Sequence, residues 1–220
     1  MGVYCAIPLV LALVATSACR AEDLFEGFAA GWIQRWEQKH LFRKATSYEV
    51  TNDGGRRVLH AVSQAAHGGM YRRIALVAPE SAQLRWQWKV LQPLDANRRE
   101  RERAGDDFAA RVMVIFEESI APWRTRALAY VWAAHEPAGA TFPNPYTKNV
   151  GMIVVRSGGA HAGRWCTESR DPVADYHAFF GEPPRRIEAV AVLVDTDNTG
   201  LAAEAWFAGL FLEPAPPLKP

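Results

Sequence analysis

The sequence predicts an all-β protein, two packed antiparallel sheets forming a β-sandwich with one short helix. Three observations carry this prediction. Apolar and polar residues alternate with a period of two over several short runs, the mark of strands with one buried face. Glycine, proline, asparagine and aspartate cluster between those runs, where chain reversal needs them. The strand–helix–strand rhythm of a parallel sheet does not occur.

The chain opens differently from how it continues. Residues Ala6 to Ala15 are apolar apart from Pro8, Thr16-Ser17-Ala18 follow, and the first charges are Arg20, Glu22 and Asp23. A short apolar run closed by small residues is the pattern of a signal peptide and is too short to span a bilayer. Residues 1–21 are therefore expected to be a leader, which places the protein in the periplasm or outside the cell. The Thr-Ser-Ala-Cys stretch ending at Cys19 is similar to a lipoprotein box, although Thr16 stands where an aliphatic residue is usual, so a lipid anchor on Cys19 is the alternative. A single β-sandwich domain over residues 22–213 and a Pro-rich tail over 214–220 complete the expected organisation.

Cleavage after Ala21 removes Arg20 and no acid, leaving 24 basic and 24 acidic residues. A neutral chain has no general attraction to nucleic acid or anionic lipid. No second apolar run is long enough for a transmembrane helix. Without Cys5 and Cys19, Cys166 has no partner, so no disulfide framework is expected; Cys166 reads as a small buried hydrophobe.

The strands follow in order. Ser47–Thr51 and Arg57–Val62 flank Asn52-Asp53-Gly54-Gly55, a hairpin signal because both turn centres need positive φ. Met70–Val77 ends before Pro79. Gln83–Val90 alternates, with Leu84, Trp86, Trp88 and Val90 on one side and Arg85, Gln87 and Lys89 on the other. The charged stretch from Asp95 to Asp107 reads as a solvated loop. Phe108–Phe116 alternates again, with Arg111 opposite the apolar set. Ala127–Ala133, Val150–Arg156, Arg164–Glu168, Glu188–Thr196 and Ala203–Leu212 complete about ten strands. The helix is expected between Asp171 as cap, with Pro172 in its first turn, and Gly181.

Several ordered runs carry a resemblance. They are Leu84-Arg85-Trp86-Gln87-Trp88-Lys89-Val90, Gly105-Asp106-Asp107-Phe108-Ala109-Ala110-Arg111-Val112, Tyr130-Val131-Trp132-Ala133, Asn144-Pro145-Tyr146-Thr147, Val154-Val155-Arg156-Ser157-Gly158 and Asp195-Thr196-Asp197-Asn198-Thr199-Gly200. Together, over about residues 24–212, they resemble the family called domain of unknown function 3047, small exported bacterial proteins. The resemblance implies a jelly-roll-like sandwich, similar to carbohydrate-binding modules and galactose-binding-like domains. It implies no reaction, since such folds host binding, lyase and structural roles alike.

Motifs with a mechanism are absent. The six histidines, His40, His60, His67, His135, His161 and His177, show no paired metal spacing. There is no Gly-x-Ser-x-Gly, phosphate loop, dinucleotide fingerprint or paired-cysteine zinc motif. Two surface sites are candidates. Arg85, Gln87 and Lys89, joined by Arg111 and rimmed by Tyr130, Trp132 and Tyr146, suit sugar hydroxyls or uronate carboxylates through bidentate bonds and ring stacking; a solvated sheet face is the alternative. Asp195, Asp197 and Asn198 offer hard oxygens for a structural calcium on a turn that Gly200 permits; a turn satisfying its own backbone is the alternative. The leading expectation is an exported, non-catalytic sandwich that binds a glycan, with a polysaccharide lyase or a purely structural envelope protein as the other readings.

Overall fold

The computed structural model describes residues 22–39, 44–117 and 125–215. The expected leader, Cys19 and residues 216–220 of the tail lie outside these. Thirteen strands occur among the described residues: β1 (Glu22–Asp23), β2 (Glu37–Lys39), β3 (Ser47–Asp53), β4 (Arg56–Gln64), β5 (Gly69–Val77), β6 (Ala82–Val90), β7 (Phe108–Glu117), β8 (Arg126–Ala133), β9 (Thr141–Asn144), β10 (Thr147–Ser157), β11 (Cys166–Arg170), β12 (Arg186–Asp195) and β13 (Ala202–Pro214). Among the described residues the α-helix is α1, Pro172–Phe180. No helix among the described residues is long and apolar enough to cross a membrane.

The strands form two sheets packed face to face, the expected jelly-roll-like β-sandwich. The first has the order β11-β6-β13-β4-β3, with β1 also paired to β13; the second runs β2-β5-β12-β7-β8-β10-β9. All neighbours are antiparallel except β8 and β10, which run parallel. Ten expected strands thus become thirteen. The additions, β1, β2 and β9, are two to four residues long and pair at the margins of their sheets, too short for a period to show in sequence.

Alternation built the interior as expected. Trp86 and Trp88 of β6 point between the sheets and meet Tyr130 and Trp132 of β8, with ring centroids 5.3 Å apart for Trp86–Tyr130 and 5.8 Å for Trp88–Trp132. None of the four is more than 1% exposed. Large aromatic faces in offset and edge contact fill such a layer at high density. This overturns the expectation that Tyr130 and Trp132 rim a surface site. They share a face of β8 with Leu128, and that face is the core one. Tyr130 donates its hydroxyl to Asp175 of α1 (2.9 Å), and Trp132 donates its indole N–H to the Gly158 carbonyl (3.1 Å).

Local chemistry explains the ends. The β3–β4 turn places Gly54 and Gly55 at φ of +60° and +81°, as its sequence required. Asp171 caps α1 by accepting from the backbone N–H groups of Val173 and Ala174, and Gly181 ends it at φ +79°. The charged stretch from Asp95 to Asp107 is mostly the exposed loop that its composition predicts, but Asn97, Glu100 and residues 105–107 are buried. Glu100 is buried, and its carboxylate accepts from the N–H groups of Ala134 (2.7 Å), His135 (3.0 Å) and Glu136 (2.8 Å). Buried Asn97 donates to the carbonyls of Gly105 and Asp107. Composition measures the charge of a loop; here two of its polar side chains are its internal fasteners.

Candidate functional site on the outer face of the first sheet

Arg85, Gln87 and Lys89 lie together on the outer face of β6, opposite Trp86 and Trp88, as period-two geometry requires. Register then brings residues of other strands beside them. Lys89 pairs with Trp206 of β13, Trp206 with His60 of β4, and His60 with Glu49 of β3. Trp165 stands just before Cys166, which pairs with Trp88. The result is a row across the whole sheet, Trp165–Lys89–Trp206–His60–Glu49. The Lys89 ammonium lies between two rings, 4.3 Å from the Trp206 centroid and 5.6 Å from that of Trp165, and the His60 ring stacks on Trp206 at 4.9 Å.

The tip of the β3–β4 hairpin curls over this row. Asp53 accepts from the Lys89 ammonium (2.7 Å) and from the Trp165 indole N–H (2.5 Å). These two donors hold its carboxyl below the usual carboxylate range. Arg56 lies 4.2 Å over the Trp165 ring and donates to Gln87 Oε1. The Lys89 side chain is left only 13% exposed. Lys89 is therefore a fastener of this face, not an open ligand group.

The open part lies beside the row, at a bulge in β13. Strand β4 pairs with Ala202–Phe207 of β13, whereas β1 pairs with Phe211 and Leu212. Between them, the register with β6 shifts from Ala208 to Phe211, and Gly209 sits at φ +53°. A bulge of this kind re-aims the neighbouring side chains and leaves a residue unpaired. On one side of Gly209 is a cleft of about 260 Å³ lined by Arg85, Gln87, Thr167 and Phe211. On the other is one of about 410 Å³, lined by Phe28, Arg56, Arg57 and Asp23 among others. A side chain at Gly209 would meet Phe211 and Gln87 and would be strained by its positive φ. Gly209 borders both clefts.

Arg111 is not part of this face. It belongs to β7 in the second sheet, is 5% exposed, and is covered by the 95–107 stretch. Its guanidinium meets Asp195 (Nη2–Oδ2 2.9 Å, Nε–Oδ1 3.2 Å) and the carboxylate and carbonyl of Asp106. The expected joining of Arg111 to Arg85 fails because alternation fixes the side of a strand, not the sheet to which the strand belongs. Tyr146 is exposed (52%) but donates to Asn198 Oδ1 (2.5 Å) beside the same acidic turn, away from the groove.

At the acidic turn, Asp107 lies beside the candidate residues Asp195 and Asp197. Asp107, Asp195 and Asp197 offer carboxylate oxygens within 4.8 Å of one another. The Asp107 carboxylate accepts from the N–H groups of Asn198 and Thr199, the Asn198 amide and the Thr199 hydroxyl. Asp195 is held by Arg111 and the Phe108 N–H. Asp197 Oδ1 is buried with no hydrogen-bond partner. Burial pushes the Asp195 carboxyl up to about 7 against the pull of Arg111, with Asp106 and Asp107 adding to the rise. A calcium ion here would use Asp197 and would compete with donors already on Asp107 and Asp195.

Four residues at the groove escaped the strand-by-strand reading: Trp165, Trp206, Arg56 and Gly209. The alternation of β13 does carry a signal for Trp206, since Ala203, Ala205 and Phe207 are the buried set. Arg56 gives none, because its role depends on the hairpin curling over the sheet.

Fold and face define a class, a jelly-roll-like β-sandwich with two clefts at a bulge in one sheet. The chain belongs to the family described as protein of unknown function (DUF3047), which matches residues 34–211. No curated protein matches it. Among solved structures, the chain is similar to a family 11 carbohydrate-binding module from Clostridium thermocellum in complex with a β-1,3-1,4-mixed-linked tetrasaccharide (10% identity, TM-score 0.46, 87% of this chain and 93% of that one). Others are TmCBM61 in complex with β-1,4-galactotriose (8%, TM-score 0.41, 86% and 94%) and the K1 cleaved adhesin domain of Lys-gingipain from Porphyromonas gingivalis W83 (11%, TM-score 0.44, 90% and 99%). At this degree of likeness no ligand carries over to the present chain.

Proposed function

We propose that this protein is an exported, non-catalytic β-sandwich that binds a glycan in the groove crossing Gly209. The observation that carries the reading is the juxtaposition at the β13 bulge. Arg85, Gln87 and Thr167 supply planar and hydroxyl hydrogen-bonding groups, Phe211 supplies a ring, and a glycine opens the space between them. Sugars are recognised by this combination of directional polar groups and an aromatic surface. Export rests on the apolar run of residues 6–15 with its small-residue end.

The lyase alternative required a cation and a proton-transferring tyrosine to converge. Arg111 is committed to Asp195 and Asp106, and the Tyr130 hydroxyl to Asp175 inside the core. Their positions favour binding without chemistry. The test is a glycan array with the purified protein, joined to an assay for unsaturated or reducing products on every glycan retained. Retention without product supports the proposal; product formation, or no retention, refutes it.

A further inference from the structure

We infer that the glycan taken by this groove is acidic, with a uronate carboxylate received by Arg56; the inference rests on the glycan-binding reading above. Cations of this face other than Arg56 and Arg57 have a carboxylate partner. Arg85 has Glu213 at 2.8 Å and Lys89 has Asp53 at 2.7 Å. Arg56 and its neighbour Arg57 form no ion pair among the described residues, and both line the larger cleft. Asp53 attracts Arg56, but its Oδ2 already accepts from Lys89 and Trp165, and the Asp23 carboxylate at the same cleft accepts from the backbone N–H groups of Phe25 and Gly27.

Arg56 is also positioned for the task. Its guanidinium reaches across the sheet to lie 4.2 Å over the Trp165 ring while bonding the neutral amide of Gln87. A guanidinium has five N–H donors, and among the described residues Arg56 uses them on one neutral acceptor. The Trp165 ring and the Gln87 amide already restrain the guanidinium, so a bidentate bond to a planar carboxylate would cost less further ordering than from a free side chain. A neutral sugar would satisfy the remaining donors with hydroxyls but would leave the cation without a hydrogen-bonded carboxylate of its own. The ligand's carboxylate supplies one. Because Gln87 borders both Arg56 and the smaller cleft, the residue next along the chain would fall against Arg85 and Phe211.

The test uses matched probes. Oligogalacturonate, alginate oligomers and glucuronate-containing oligomers are each compared with their carboxyl-reduced forms, by calorimetric titration into the full protein at low salt. At least one acidic oligomer should bind roughly tenfold or more tightly than its reduced partner, the scale of one charge-assisted bidentate contact. Arg56→Gln should abolish that difference. Arg56→Lys, which keeps the charge but loses the planar fork, should recover only part of it. Melting curves of both variants should match the parent, since Arg56 is exposed. Equal binding of acidic and reduced partners would overturn the inference and leave the glycan reading standing. Binding of neutral array glycans with rejection of every acidic probe would do the same. Absence of binding to any glycan would overturn both.

Discussion

Lys89 of β6 and Asp53 at the hairpin tip form an ion pair at 2.7 Å, which fastens the β3–β4 turn over the outer face of the sheet. Neither residue adjoins the other in sequence or in strand order. The pair brings the hairpin tip against Lys89 and Trp165 on the outer face. Partly exposed pairs of this kind contribute little stability, about 0.2–1 kcal/mol. Asp53→Ala should therefore lower stability by no more than about 1 kcal/mol in urea denaturation. It should nevertheless speed amide hydrogen exchange at residues 52–57, because the tip loses its anchor to Lys89 and Trp165. Unchanged exchange there would show that the hairpin holds its place without the pair.

Arg111→Ala should behave as a core mutation. Removing one partner of a buried pair leaves the other uncompensated, at a cost of about 3–5 kcal/mol. Asp195 and Asp106, both buried, would be left facing each other. A full-strength fold with lost glycan binding would instead return Arg111 to the ligand site.

Trp88→Ala should cost roughly 3–5 kcal/mol, the usual range for truncating a buried aromatic. Trp88 is fully buried, packs on Trp86 and Trp132, and donates its indole N–H to Glu168 at 3.0 Å. Chemical denaturation measures this directly. A loss below 1 kcal/mol would mean that the two-sheet core closes without it.

The acidic turn predicts a pH dependence of defined sign. An unfolded aspartate titrates near 3.9, and Asp195 in the fold at about 7. The folded state therefore holds this proton over the interval between, and stability from this group rises as pH falls from 8 towards 5. It is fully present below the unfolded value and lost as pH climbs through 7. His67, whose burial pushes its pKa down, acts in the opposite direction over part of the same range. The difference between the parent and Asp195→Asn, measured in chelator, isolates the aspartate. The parent should gain melting temperature relative to the variant on acidification. Because protein donors already engage Asp107 and Asp195, chelator and calcium should give the same melting curve at pH 7. A rise with calcium would show a cation recruited through Asp197.

The parts of this molecule legible in sequence are those governed by neighbours along the chain. Alternation placed Arg85, Gln87 and Lys89 opposite Trp86 and Trp88, and cap chemistry bounded α1 at Asp171 and Gly181. Which strands share a sheet depends on long-range pairing that no local pattern encodes. That is why Arg111 was expected beside Arg85, and why Tyr130 and Trp132 were expected at a rim when they fill the core. The groove itself arises from a bulge at Gly209 and a hairpin that leaves β13 after Phe207. Both features concern how strands separate, and alternation reports only how they run.

The central claim is the location of the ligand, and two-dimensional amide NMR during titration with an array-selected oligosaccharide tests it most directly. The largest shift changes should fall at Gln87, Thr167, Gly209 and Phe211, with those at Arg56 and Trp165 following, and Thr167→Trp, which fills the smaller cleft, should suppress them. Shifts centred instead on Met113, Ala191 and Leu193, on the outer face of the second sheet, would contradict the account.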